Sequence, residues 1–259
     1  MIYRLGKQPA RYDKRSLRMA AYLTPELPPP PAACDWTPAV EAWKMYANDR
    51  YGCCTCAAAG HMIDGWRENA GEDRHGLTDL AILDAYAAVT GFNPNAPLYP
   101  NGQNPTDNGA CALDVLKHWR NVGIGGHQIG AWVDGRPANQ VEVCQSIYLF
   151  GAAYVGMSLP DAIFQGDPME AVWDVPMDGP NDDWRPNPQN GHMISLHGYD
   201  AAGWLLAVTW GQVKRLTWRF LQAYCDEFHA VLSEDILNVA MVSPTGLNIE
   251  QLNADLAAI

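Results

Sequence analysis

Asn48 to His61 reads NDRYGCCTCAAAGH, a polar turn that runs into three cysteines and then small residues. Cys54, Ala57, Ala58, His61 and Gly65 recur at i, i+3, i+4, i+7 and i+11, a narrow face of helical period. This spacing predicts a helix that starts at Cys54, with Tyr51-Gly52 supplying the turn before it, and a face small enough for another layer to approach closely. A thiol in the first helical turn feels unpaired backbone N–H groups and the positive end of the helix dipole. Both favour thiolate over thiol, so Cys54 is expected to be a nucleophile wherever a base lies beside it.

A second informative stretch is Gly191 to Gly211, GHMISLHGYDAAGWLLAVTWG. With the first it resembles the papain family of cysteine peptidases, in which a catalytic histidine opens a strand ending in Gly-Tyr and a second strand ends in Trp-Gly. The resemblance places His192 as the base, with Gly198-Tyr199 following at the family spacing. It also places Asn48, six residues before Cys54, as the oxyanion-hole amide. Counting from Cys53 or Cys56 instead puts Ala47 or Arg50 there. The family's orienting asparagine, two positions before Trp-Gly, is here Val208, which cannot hydrogen-bond an imidazole. That leaves three ways to hold the ring, namely Thr209, a backbone carbonyl or another side chain, or else an incomplete triad. Asp35-Trp36, after the proline run, fit the start of the mature family domain. Asn108 to Ile124, NGACALDVLKHWRNVGI, resembles the family's Asn-Gly-Gly before a helix ending in Gly-Ile, with Gly109 matching and Ala110 standing for the second glycine. Gly109, Ala110, Gly191 and Trp210 are accordingly the residues the resemblance assigns to substrate binding.

The same residues admit blander readings. Free cysteines are commonly small buried hydrophobes. Cys53, Cys54, Cys56 and His61 are also zinc-ligand types, but four ligands crowded on one turn and one helix cannot converge tetrahedrally, and no second cysteine pair at finger spacing appears. No metal and no cofactor are expected. His197 is separated from His192 by an odd offset, so strand alternation turns it to the other face and makes it structural.

Composition narrows the function classes. The chain of 259 residues carries 48% hydrophobic and 18% charged residues, enough for a large globular core. A formal charge of −12 leaves no basic stripe, which argues against nucleic acid and anionic membranes as partners. Seven cysteines, odd in number and without framework spacing, point to reduced thiols. The N-terminus is charged where a signal peptide needs its apolar core, and no 18-residue apolar run exists. A cytoplasmic or virion-associated protein, phage or bacterial in type, is the expectation.

Four segments are expected: an arm over 1–30, a helical half over 31–133, a β-rich half over 134–243 and a tail over 244–259. The arm ends in prolines and, at about 30 residues, is shorter than the family's inhibitory pro-segment, so it is read as an arm and not a zymogen device. Further helices are predicted over Leu77 to Gly91, N-capped by Thr78 with Leu80, Leu83 and Ala87 on one face, and over 108–124 with Ala112, Val115, Leu116 and Trp119. A helix over Asn139 to Gly151 and a strand over Ala152 to Leu159 follow. Gln165 to Asn190 reads as a long loop. Strands are predicted over 192–199, 204–209 and 227–232, with a short helix near 218–224 and a tail helix over 249–258.

The fold class is therefore α+β and papain-like, a helical half carrying the cysteine helix packed on a β-rich half carrying the histidine, with a cleft between. The function the resemblance implies is Cys–His hydrolysis of a peptide or related amide. Two alternatives remain: a catalytically silent domain that binds other subunits of a larger assembly, and a peptidoglycan-directed cysteine endopeptidase.

Overall fold

A computed structural model describes residues 3–11, 13, 17–18, 29–71 and 76–236. Helix α1 (Cys54–Ala70) begins at Cys54 and stops at Gly71, whose φ of 73° makes a left-handed cap that a residue with a side chain resists. Helix α2 (Asp79–Thr90) is capped by the Thr78 hydroxyl, which accepts from the Ala81 N–H at 3.2 Å. Its packed face matches the expected one in part. Leu83 and Ala87 pack partly buried against the core beside the buried Ile82, Ala85 and Tyr86, whereas Leu80 is 66% exposed. In α3 (Ala112–Asn121) the four predicted residues Ala112, Val115, Leu116 and Trp119 are all fully buried.

After α4 (Gln140–Phe150) the chain is dominated by antiparallel sheet. The strands are β1 (Leu17–Arg18), β2 (Cys34–Asp35), β3 (Ile129–Asp134), β4 (Ala153–Ser158), β5 (Gly191–Tyr199), β6 (Trp204–Thr209), β7 (Gln212–Thr217) and β8 (Cys225–Ser233). They form one eight-stranded sheet in the order β1-β3-β8-β4-β5-β6-β7, with β2 added on β5. Strands β3 and β7 fall where no strand was predicted. Helix α5 (Trp218–Tyr224) lies between β7 and β8. The tail helix expected over 249–258 lies outside the described residues.

Alternation along the strands divides the core in two. Tyr154 and Met193 join α1, α2 and α3 in one cluster, while Ala153, Val155, Met157, Ile194 and Leu196 join residues of α4 and α5 in the other. Strand β5 is buried along its whole length because both faces are covered. Its first residues thus reach the start of α1 from inside the molecule. Among the described residues no helix is long and apolar enough to cross a membrane.

Candidate active site

Cys54 opens α1 and its side chain is buried. The loop before it turns through left-handed Tyr46 and Ala47, at φ 54° and 58°, and delivers Asn48. One amide hydrogen of Asn48 goes to the Tyr51 carbonyl at 3.0 Å, which fixes the side chain and leaves its second hydrogen. The turn is pinned from the other side. Asp107 accepts from the Gly52 N–H at 3.0 Å and from the Tyr86 hydroxyl at 2.7 Å, and that hydroxyl accepts from the Gly109 N–H at 2.8 Å. Asp107 therefore fixes the cysteine turn and Gly109 against each other.

His192 stands at the start of β5 with no solvent exposure. Its Nε2 lies 2.6 Å from the Thr209 hydroxyl, so of the options left open for Val208's position the structure supplies Thr209. Its Nδ1 is buried and makes no hydrogen bond. The ring stacks on Trp210, centroids 4.2 Å apart and planes 20° apart. Trp210 can lie there because Trp210-Gly211, both at positive φ (46° and 71°), form the two-residue turn between β6 and β7. Behind Trp210 stands Trp173, edge-on at 6.1 Å, whose indole N–H donates to the Pro168 carbonyl at 2.7 Å. His197 is held elsewhere, 3.0 Å from the Ser195 hydroxyl and against Trp43.

Between these two walls runs the chain's own N-terminal segment. Arg4 N–H donates to the Asn48 carbonyl (3.0 Å), and the Arg4 carbonyl accepts from the Trp210 indole (3.1 Å). Gly6 and Lys7 N–H groups both donate to the Gly191 carbonyl (3.1 and 2.9 Å). On the opposite wall Ala110 N–H donates to the Gly6 carbonyl (2.8 Å) and the Ala110 carbonyl accepts from Gln8 N–H (2.9 Å), a parallel bridge. Glycines make the slot: a Cβ would come 2.0 Å from the Gly6 carbonyl oxygen at Gly109 and 2.0 Å from the Lys7 carbonyl oxygen at Gly191. Gly109, Ala110, Gly191 and Trp210 are all brought together around residues 4–8, and Ala110 docks backbone to backbone although it is not glycine.

The electrostatics correct one expectation. Burial pushes the Cys54 thiol up to about 11, against the lowering effect of backbone hydrogen bonding from Met193, of the Lys7 charge and of backbone hydrogen bonding from Gly6 and Thr55. Burial likewise takes His192 down to about 3. With the arm in the cleft both groups are neutral near pH 7, and the first-turn thiolate expected from the helix is outweighed by desolvation. Cys53 donates to the Tyr46 carbonyl at 3.4 Å and burial pushes Cys56 up to about 12. His61 Nε2 faces the Lys44 carbonyl at 2.7 Å. Among the described residues no cluster of His, Cys, Asp or Glu is placed to hold a metal ion.

Sequence reasoning missed Lys7, Asp107, Tyr86 and Trp173. Each acts across more than twenty residues of chain, with no local spacing to announce it.

No protein-family model and no curated protein sequence matches this chain. Solved structures do. Xylellain, a cysteine protease from Xylella fastidiosa, superposes with a TM-score of 0.64 at 13% identity, over 88% of this chain and 96% of that one. The digestive procathepsin L 3 of Tenebrio molitor larval midgut gives 0.55 at 11% identity, over 88% and 76%. The Carica candamarcensis cysteine protease CMS1MS2 in complex with E-64 gives 0.52 at 14%, over 78% and 99%. At such identities the likeness is one of architecture, and the chain has the papain-like fold.

Proposed function

We propose that the chain is a papain-like cysteine peptidase or amidase, with Cys54 as nucleophile and His192 as its base. The observation that carries this is the state of the His192 ring. Nε2 is held by Thr209 at 2.6 Å while Nδ1, buried, has no partner. A ring whose Nε2–H donates to a hydroxyl keeps a free lone pair on Nδ1, which is where a thiol proton would go. The backbone of the next residue, Met193, reaches the Cys54 thiol.

In this reading Nδ1 takes the thiol proton, Sγ attacks the carbonyl carbon, and the oxyanion is met by the Cys54 N–H and the second amide hydrogen of Asn48. Collapse of the tetrahedral adduct breaks the C–N bond, and the imidazolium returns its proton to the leaving amine. Water, deprotonated by the same Nδ1, then cleaves the thioester. Throughout, the Thr209 hydroxyl accepts the Nε2–H.

The test is turnover of a mixed peptide pool by the full chain, followed by mass spectrometry. Cleavage that disappears in Cys54→Ala supports the proposal, and cleavage that persists in that variant refutes it. A silent, binding role is the second reading, favoured by the neutral Cys54 and His192 beneath the arm and by Val208. It predicts no cleavage by the wild type or by any arm-displaced variant.

A further inference from the structure

We infer that the acidic pocket floored by Asp226 and Glu227 is the specificity pocket of the cleft, taking the lysine or arginine side chain of a peptide, and that Lys7 fills it as a stand-in from the chain itself. This rests on the hydrolase reading for its chemistry, although the pocket is argued from its own geometry.

Lys7 is placed by its backbone in the slot between Gly191 and Ala110, and its neighbour Gly6 reaches the Cys54 thiol. From there its side chain turns inward until it is 1% exposed, and the ammonium meets Asp226 at 3.0 Å and Glu227 at 3.2 Å. The pocket is built to that shape. Gly156 stands where a Cβ would come 2.4 Å from Lys7 Cε, so only glycine leaves room for the stem. Ser158 donates to Asp226 at 2.7 Å and orients it.

Two adjacent strand residues normally face opposite sides of a sheet. Here β4 and β8 shift register, pairing Gly156 with Glu227 and Met157 with Cys225, so Asp226 is the extra residue of a bulge. The bulge lets both carboxylates reach one point. Glu227 also depends on a cation there. Its side chain is 6% exposed and its Oε1 makes no hydrogen bond of good geometry, leaving the ammonium as what that oxygen faces. On its far side Oε2 lies 3.4 Å from His229, which Asp134 holds at 2.8 Å. Burial would raise the Glu227 carboxyl, but the His229 hydrogen bond and the Lys7 charge bring it below its usual range.

A peptide that displaced the arm with a neutral side chain would leave two carboxylates facing an apolar group, one of them buried. A lysine or arginine would restore the pair. Fully buried polar sites reject the analogue lacking the partner by about 10⁴–10⁵-fold, and the 31% exposure of the Asp226 side chain brings the discrimination expected here down to at least about tenfold.

The experiment uses the full chain with Cys54→Ala, and the arm displaced by Lys7→Ala or, separately, by Gly6→Ala, whose Cβ would come 1.9 Å from the Gly52 carbonyl oxygen. Fluorescein-labelled alanine-host peptide amides, each with one lysine, arginine or norleucine, are titrated by anisotropy. Tenfold or tighter binding of the basic peptides, lost in Glu227→Gln and weakened in the half-exposed Asp226→Asn, is the expected result. Equal binding of all three peptides, or a basic preference untouched by either carboxylate change, overturns the pocket. The same peptides are offered to the arm variants with Cys54 intact. Cleavage with a norleucine preference sinks the pocket and leaves the nucleophile, whereas charge-selective binding without cleavage keeps the pocket and sinks the hydrolase reading.

Discussion

The Thr209 hydroxyl sits 2.6 Å from Nε2 of His192, in the place where Val208 rules out the side-chain amide found in the papain family. A hydroxyl differs from an amide carbonyl because it can donate as well as accept, and the proposed reaction uses it as the acceptor of Nε2–H. Once Nδ1 carries the thiol proton, Nε2–H has to donate and the hydroxyl has to accept. Thr209→Val removes that acceptor from a fully buried imidazolium. The loss is about 1–3 kcal/mol, or roughly ten- to a hundredfold in kcat, with KM little changed. Serine at the same position should retain most of the rate, since it keeps the hydroxyl. Steady-state kinetics on both variants check this, and equal losses in Val and Ser would point to packing instead.

Gly6 packs against Gly52 so closely that a Cβ would lie 1.9 Å from the Gly52 carbonyl oxygen. The backbone there cannot give way without moving the cysteine turn, so Gly6→Ala should lift the arm away from Cys54. Burial is the leading cause of the raised thiol, now about 11, and opening the slot removes it. Mass-mapped alkylation by iodoacetamide at pH 7 should be slow at Cys54 in the wild type and at least about tenfold faster in Gly6→Ala, because the thiolate is the reacting form. Unchanged labelling of Cys54 would mean that the arm does not control the thiol.

The start of α1 and the run from His192 were legible because their information is local. Helical spacing, a turn before it and strand alternation are all read within a dozen residues, and the resemblance attached roles to them. Helix α3 was legible for the same reason, its four buried residues repeating at one period. The exposed Leu80 was misread because α2 carries apolar residues around more than one face, and only contact with Tyr86 and Ile82 decides which is inside. The short strands β3 and β7 were missed because their residue types do not follow their burial: Trp132 puts an apolar side chain on the less buried face of β3, and in β7 Lys214 is buried while Val213 is 40% exposed. Least legible was the arm. Its place in the cleft depends on glycines at 52, 109 and 191, each harmless to the local pattern and each needed only when a distant segment arrives.

Trp173 lies in a segment that reads as loop, yet it is buried at 2% exposure and backs Trp210, on which His192 rests. Trp173→Ala should destabilise the fold by about 3–5 kcal/mol, the usual range for a buried tryptophan. It should also slow turnover at temperatures where the protein is still folded, because the stack that fixes the His192 ring loses its backing. Calorimetric Tm and kcat measured at 15 degrees below it separate the two effects. A lowered Tm with an unchanged kcat would show that Trp210 holds the ring without help.

Acid should unfold this protein through histidines before its carboxylates matter. Burial takes His61 down to about 4, and His192 and His197 down to about 3, from an ordinary value of 6.5. A group whose folded pKa is depressed favours the folded state fully above its unfolded value. Between pH 6.5 and about 4 the unfolded chain binds protons at these three sites and the folded chain does not, so stability falls as pH falls, by at most about 4 kcal/mol per pH unit. His229 works the other way. Burial alone would lower it, but Asp134 and Glu227 raise it, so its contribution is present at low pH and is lost as pH rises through its folded value. Below pH 6.5 that contribution is already complete and adds no slope, so the three depressed rings set a net acid lability there. Urea midpoints measured from pH 7.5 to 4.5 should fall steadily below about 6.5. Replacing His197 by glutamine, which keeps a polar group for Ser195 without a titrating one, should flatten the slope by about a third. A midpoint that stays level between pH 6.5 and 4.5 would mean that these rings are hydrated and charged in the folded chain.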